Sequence, residues 1–249
     1  MSATADNLCT FLEWDTNFFG YRIARVNSHI LTETDAKAID NWCLDNTIDC
    51  LYFLASSNDM NTVRIAENHH YRQVDARVVY EHKLENLVKE DGANSPYNLD
   101  IAQVSDIPDI LGMMTNSFVH SRFYYDPNFS EEQCNELYRT WLIRSVEDNF
   151  ADRVFVMRKD DKAEAFLTCK LDTDLSIGTM GLMNVAQSAR GQSLSTRLTK
   201  SALNYFKQSD MKTGQVATQL RNIIANRLYQ KSDFRIVEAY LWYHKWFNQ

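Results

Sequence analysis

The sequence predicts a mixed α/β fold, with a central mixed sheet flanked by helices and a smaller α/β unit in front of it. Three features predict it. Short apolar, β-prone runs alternate with segments of helical period, as where Leu194, Leu198, Ala202 and Phe206 recur every four residues. No self-similarity at a period of 20–50 residues points to a repeat protein. A polar stretch at 85–97, ENLVKEDGANSPY, holds the sole Asp-Gly and Ser-Pro of the chain and reads as a linker. It divides the 249 residues into a unit at 1–94 and a larger one at 95–249, each able to bury a core.

The smaller unit begins with strand-like runs at 10–14 and 21–26 joined by WDTNFFG. A helix follows at 32–46, with Ala36, Ile39 and Trp42-Cys43 on one face, Thr32 as N-cap and Asp35 in the first turn. Residues 51–54 read as a short buried strand, 59–69 as a second helix and 76–84 as another strand.

In the larger unit, 99–104 is strand-like and 106–118 is helical, with Asp106 placed to cap it and Pro108 in its first turn. The aromatic segment 120–129 leads to a helix that Ser130 caps, with Glu131 and Glu132 behind it and Leu137, Trp141 and Leu142 facing inward. Residues 154–157 form a strand. Ala163, Ala165, Leu167, Cys169 and Leu171 alternate along the next one. Residues 181–185 are a further buried strand, 216–218 a β-prone run, and 238–247 an aromatic closing strand.

Composition narrows the function. A net charge of −7 with no stripe of Lys and Arg argues against a nucleic-acid partner. No run approaches the ~20 apolar residues of a membrane span. The first residues lack the basic-then-apolar order of a signal peptide, and five cysteines without CxxC spacing fit a reduced, cytoplasmic setting. The six histidines show no metal-ligand spacing, so no metal is expected. No Ser-His-Asp or Cys-His constellation supports a covalent intermediate, which leaves direct attack as the mechanism.

Two junctions carry chemistry. Strand 181–185 delivers the small-residue break Arg190-Gly191-Gln192-Ser193 onto the helix that starts near Leu194. Unpaired N–H groups and the helix dipole favour an anion there. Farther on, Asn222 and Tyr229 lie seven residues apart on nearly one face of a helix. Asn222 fits an N-cap as well as a ligand contact, and Tyr229 fits a core position as well as a proton donor.

These residues resemble the GCN5-related N-acetyltransferase superfamily. Its pyrophosphate turn reads Arg/Gln-x-x-Gly-x-Gly/Ala, and its later helix carries Asn, Ala and Leu-Tyr, as Asn222, Ala225 and Leu228-Tyr229 do here. Within it, VATQLRNIIANRLYQKSDFRIVEAYLWYHKW, the segment Ser121-Arg122-Phe123-Tyr124 and the opening LEWDTNFFG are similar to the TDP-fucosamine acetyltransferases of surface-polysaccharide (lipopolysaccharide) synthesis. The resemblance implies transfer of an acetyl group from acetyl-CoA to the amine of a nucleotide-linked amino sugar. It implies a GNAT-like sheet, with residues 1–94 a partial copy of that fold walling off the sugar-nucleotide site.

Carried onto this chain, the resemblance assigns Tyr229 as the acid that protonates the departing thiolate. Arg190, Gly191, Gln192, Ser193, Leu194 and Ser195 would cradle the pyrophosphate, and Asn222 would bind the pantetheine region. The Val185 N–H would face the acetyl carbonyl. Arg122, Phe123 and Tyr124 would serve the acceptor, through phosphate pairing and stacking. One departure stands out: Ser193 and Ser195 occupy positions where the family has glycine, which tolerates φ > 0 and close approach to phosphate. A different acyl-CoA, or a silent sugar-nucleotide-binding or scaffolding role, therefore stays open, as does the oligomeric state, with a homodimer one option.

Overall fold

A computed structural model describes residues 8–87, 95–115 and 117–247; the middle of the expected linker, 88–94, lies outside the described residues. The chain runs β1 (Cys9–Phe11), α1 (Glu13–Phe19), β2 (Ile23–Val26), α2 (Glu33–Asp45), β3 (Cys50–Ser56), α3 (Met60–Asn68) and β4 (Arg72–Lys83). It continues β5 (Asn98–Ile101), α4 (Ile107–Met114), α5 (Glu131–Glu147), β6 (Arg153–Lys159), β7 (Lys162–Asp172) and β8 (Ile177–Val185). Last come α6 (Leu194–Gln208), β9 (Thr213–Gln219), α7 (Ile223–Lys231) and β10 (Arg235–Trp246).

These strands form one mixed sheet in the order β1-β2-β3-β10-β4-β9-β8-β7-β6-β5. The pairs β2–β3 and β8–β9 are parallel, and the other neighbours are antiparallel. The mixed sheet flanked by helices is the fold class expected. Both expected units contribute to it, since β10 from 95–249 lies between β3 and β4 of 1–94.

Among the described residues, side-chain caps open four of the seven α-helices, α2, α3, α5 and α7. The Thr32 hydroxyl accepts the Asp35 N–H at 3.1 Å, and Asp59 accepts the Thr62 N–H at 2.6 Å. Ser130 and Gln133 form a reciprocal capping box on α5. Several expectations are corrected. The run at 10–14 is strand only to Phe11, and WDTNFFG is helix α1. There Trp14 stacks on Phe18 four residues later, and Gly20 closes the helix with φ 77°. The strand expected at 99–104 ends at Ile101, and the helix expected at 106–118 ends at Met114. Asp106 makes no side-chain cap for that helix. It pairs with Arg158 through both oxygens and accepts the Gln103 N–H. Strand β7 does not alternate inside and out, because Ala165 to Cys169 are all buried, with helices covering both faces of the sheet.

The two faces carry separate cores. Helices α6 and α7 bring Leu198, Ala202, Phe206 and Tyr229 onto Val78, Tyr80 and Val216. On the opposite face, α1, α4 and α5 bring Phe19, Ile110, Leu137 and Leu142 onto Tyr52, Val156 and Phe166. Helix α6 sits so close that a Cβ at Gly178 would lie 2.2 Å from the Phe206 ring, and one at Gly214 would lie 2.6 Å from Leu203.

Gly178→Ala is therefore expected to destabilise the chain by about 1–3 kcal/mol through overpacking. Gly112→Ala, with nothing within 4 Å on helix α4, is expected to stabilise it by roughly 0.5–1 kcal/mol. Thermal melts of the two variants check both signs.

Candidate active site

Strands β8 and β9 pair only from Ile177–Thr213 to Met180–Val216. Beyond that point β8 stays paired with β7, and β9 stays paired with β4, so the sheet splits between them. A bulge in β8 marks the split. The β7–β8 register shifts between Leu167 and Cys169, and the Leu182 N–H donates to the Thr168 hydroxyl at 2.8 Å. Gly181 fits there because a Cβ would meet that same hydroxyl at 2.5 Å.

A cleft of about 1050 Å³ lies at this split, lined by residues from both faces of the sheet. Among the residues proposed from sequence, Arg122, Phe123, Val185, Arg190, Gly191, Ser193, Leu194, Ser195, Asn222 and Tyr229 all line it. Gln192 is exposed and is not part of the lining. Tyr124 lies away from it: the hydroxyl donates to Asn135 Oδ1 at 2.8 Å, beside a separate cavity of about 190 Å³. The side chain points back against α5 instead of into the cleft.

On the α6 face, the turn before the helix has two left-handed residues, Gly191 at φ 81° and Ser193 at φ 58°. Ser193 is the N-cap position of α6, and its side chain makes no cap hydrogen bond. The first N–H groups of this 15-residue helix thus keep their donors for an external anion. Serine adopts here the backbone conformation that favours glycine, at a cost of about 1–2 kcal/mol.

Helix α7 lies beside the split. Asn222 caps it by accepting the Ala225 N–H at 3.2 Å, so the cap reading of Asn222 holds in a residue that also lines the cleft. Asn226, which sequence reasoning passed over, ties the helix down. Its amide donates to the carbonyls of Gln219, Leu220 and Asn222, and its oxygen accepts the Tyr80 hydroxyl at 2.9 Å. Tyr229 is 5% exposed between the rings of Tyr80 and Phe234. Burial, then the neighbouring Tyr80, pushes its phenol pKa well up, so it stays protonated.

The strand edge supplies backbone donors. Ala186 N–H donates to Glu164 C=O at 2.8 Å, which sets the parity of the β7–β8 ladder. The N–H groups of Met183 and Val185 therefore point toward the side that β9 has left. The Val185 N–H is engaged by Asn184 Oδ1 at 2.9 Å, and Asn184 is itself held by Met113 C=O and the Ser117 hydroxyl. Met183, two residues earlier in the same alternation, presents its N–H to the same side.

The opposite mouth is cationic and aromatic. The Arg122 guanidinium lies 4.0 Å from the Tyr52 ring centroid and 4.2 Å from those of Phe123 and Trp242. Its Nη1 donates to His244 Nε2 at 2.8 Å, and His244 Nδ1 donates to Asp126 at 2.6 Å. Trp246 Nε1 also donates to Asp126. Burial, with Arg122 alongside, lowers the His244 pKa to about 4, so the imidazole is neutral and accepts from the guanidinium. Arg77 and Asp75 from β4 complete this wall.

Residues 118–234 match the acetyltransferase (GNAT) family. The chain therefore carries a GNAT-type acetyltransferase domain over those residues. The chain is 25% identical over 150 residues to the spore coat polysaccharide biosynthesis protein SpsD of Bacillus subtilis (strain 168). That match takes in 60% of the chain and spans about half, 51%, of the relative. Among solved structures, a GCN5-related N-acetyltransferase from Sphaerobacter thermophilus matches with a TM-score of 0.68 at 11% identity, covering 96% of this chain and 76% of that one. A conserved protein of unknown function from Staphylococcus epidermidis matches at 0.64 and 11% identity, covering 98% and 93%. Among the described residues no helix is long and apolar enough to cross a membrane, and no cluster of metal-ligating residues occurs.

Because Ser193 holds a glycine-type conformation, Ser193→Gly is expected to stabilise the chain by about 1 kcal/mol. That corresponds to a melting temperature roughly 2–4 °C higher. A fall in melting temperature would show that the serine side chain contributes to holding the turn.

Proposed function

We propose that this chain transfers the acetyl group of acetyl-CoA to the primary amine of a nucleotide-linked, TDP-type amino-deoxy sugar destined for a surface polysaccharide. The observation that carries the reading is the cleft through the split sheet: an anion-seeking helix end on one face and an arginine-aromatic seat on the other. The similarity to a polysaccharide biosynthesis protein supports the substrate class. Residues 1–94 are proposed as the partial second copy that builds the acceptor wall, in keeping with the contribution of β3 and β4 to it.

In this reading the N-terminus of α6 takes the coenzyme pyrophosphate. Asn222 lies beside the pantetheine arm, and the thioester reaches the gap between β8 and β9. The Met183 N–H polarises the acetyl carbonyl and holds the oxyanion as it forms, while the Val185 N–H stays on Asn184 Oδ1. Arg122, fixed through His244 and Asp126 and flanked by rings, takes an acceptor phosphate while Trp242 offers a stacking face. The amine attacks the carbonyl carbon, the C–S bond breaks, and the Tyr229 phenol gives its proton to the thiolate.

The test is thiol release from acetyl-CoA with a TDP-linked amino-deoxyhexose as acceptor. Tyr229→Phe is expected to lower turnover by roughly 10²–10⁴-fold while the calorimetric affinity for acetyl-CoA is unchanged. Full turnover in that variant would remove Tyr229 from the mechanism.

A further inference from the structure

A second arginine in the acceptor wall has no partner in the protein. Arg77 lies on β4 and lines the cleft. Strand register sets it opposite Tyr240 on β10 and Gln219 at the end of β9. Two residues earlier, Asp75 lies opposite Trp242. Residues two apart in a strand share a face, so Arg77 is on the side of the sheet that carries Trp242. The Arg122 guanidinium lies 4.2 Å from that tryptophan ring. Among the described residues Arg77 makes no side-chain hydrogen bond and no ion pair.

The carboxylates nearby are engaged or turned away. Asp75 Oδ1 accepts the Ala76 N–H at 2.8 Å and faces Arg221 Nη2 at 3.5 Å. Glu238 is exposed on β10 and is not part of the cleft lining. Arg122 is held by His244 and by rings. With Asp75 matched by Arg221, Arg77 and Arg122 remain as excess positive charge in this wall. Burial, then the charge of Arg122, lowers the Arg77 pKa, yet a guanidinium titrates so high that it stays charged. Charges taken out of water are costly unless they are paired, and two like charges brought together are more so.

We infer that Arg77 joins Arg122 in clasping the diphosphate of the acceptor, one phosphate to each guanidinium, so that the site selects a nucleoside diphosphate over a monophosphate. The assignment rests on the nucleotide-sugar reading above. In a sugar nucleotide each phosphate of the diphosphate carries one negative charge, which matches one arginine apiece. The planar fork of each side chain can give two N–H donors to its phosphate. Arg122 is fixed from behind by His244, whereas the free donors of Arg77 close on the ligand. A diphosphate also relieves the repulsion between the two arginines. A monophosphate, reaching one of them, does not.

The experiment is calorimetric titration of the wild type, Arg77→Gln and Arg77→Lys with TDP and with TMP. The wild type is expected to bind TDP about tenfold or more tightly than TMP. Arg77→Gln is expected to lose roughly 10–100-fold in TDP affinity and much less in TMP affinity, so that the preference collapses. Arg77→Lys keeps the charge without the fork and should fall between the two; it decides the matter if Arg77→Gln does not fold. Acetyl-CoA affinity equal to that of the wild type, with no fall in melting temperature, would exclude a folding or coenzyme-site defect. Equal affinity of the wild type for TDP and TMP, or a variant that keeps the full wild-type preference, would overturn the assignment. Acetyl transfer by the wild type to a TDP-linked amino-deoxyhexose would in that case leave the acyl-transfer reading intact. A wild type that binds acetyl-CoA but neither nucleotide, and transfers nothing, would overturn both.

Discussion

Everything in this molecule turns on the parting of β8 and β9 after Met180 and Val216. Each strand remains anchored on its outer side, β8 to β7 and β9 to β4, so the gap is held open by the rest of the sheet. Buried backbone donors without partners are costly, and in a closed sheet Met183 and Val185 would find acceptors on β9. Here Asn184 satisfies Val185, and the Thr168 hydroxyl takes Leu182 at the bulge. The Met183 N–H is aimed into the gap. In the proposed reaction the acetyl carbonyl would take the place of the missing strand.

Both halves of the chain line the split. The helices α6 and α7 on one face come from residues beyond 190, with Asn226 fixing α7 to the end of β9. The other mouth is assembled from β3, β4, β10 and the loop carrying Arg122. Placing β10 between β3 and β4 puts Trp242 beside Asp75, and puts His244 where it can accept from Arg122. Among the described residues the Arg122 guanidinium is held by a neutral histidine and flanked by rings and makes no ion pair with a carboxylate, as the proposed phosphate-bearing acceptor would require.

Much of this was legible in the sequence. The period-four face of α6, the caps at Thr32 and Ser130, and the Asn222–Tyr229 spacing are local patterns, and local patterns survive folding. The elements misread are those where tertiary partners decide. Helix α1 hid in an aromatic run whose Trp14–Phe18 stacking needs the helix to exist first. Asp106 had a partner, Arg158, 52 residues away. Tyr124 shared a motif with Arg122 but is drawn off by Asn135. Asp75, Asn226 and the His244–Asp126 pair carry no motif at all, because strand register and a distant helix bring them into place. Ser193 was read as a departure from glycine, and its left-handed backbone keeps the glycine geometry.

The central claim is that this split, with the uncapped N-terminus of α6 beside it, is an acyl-coenzyme site. Calorimetric titration of the purified protein with acetyl-CoA, with ADP as the pyrophosphate-bearing fragment, tests it most directly. The account predicts saturable one-to-one binding of acetyl-CoA, with ADP competing for the same site more weakly. Absence of heat, together with no thermal shift at millimolar ligand, would contradict it.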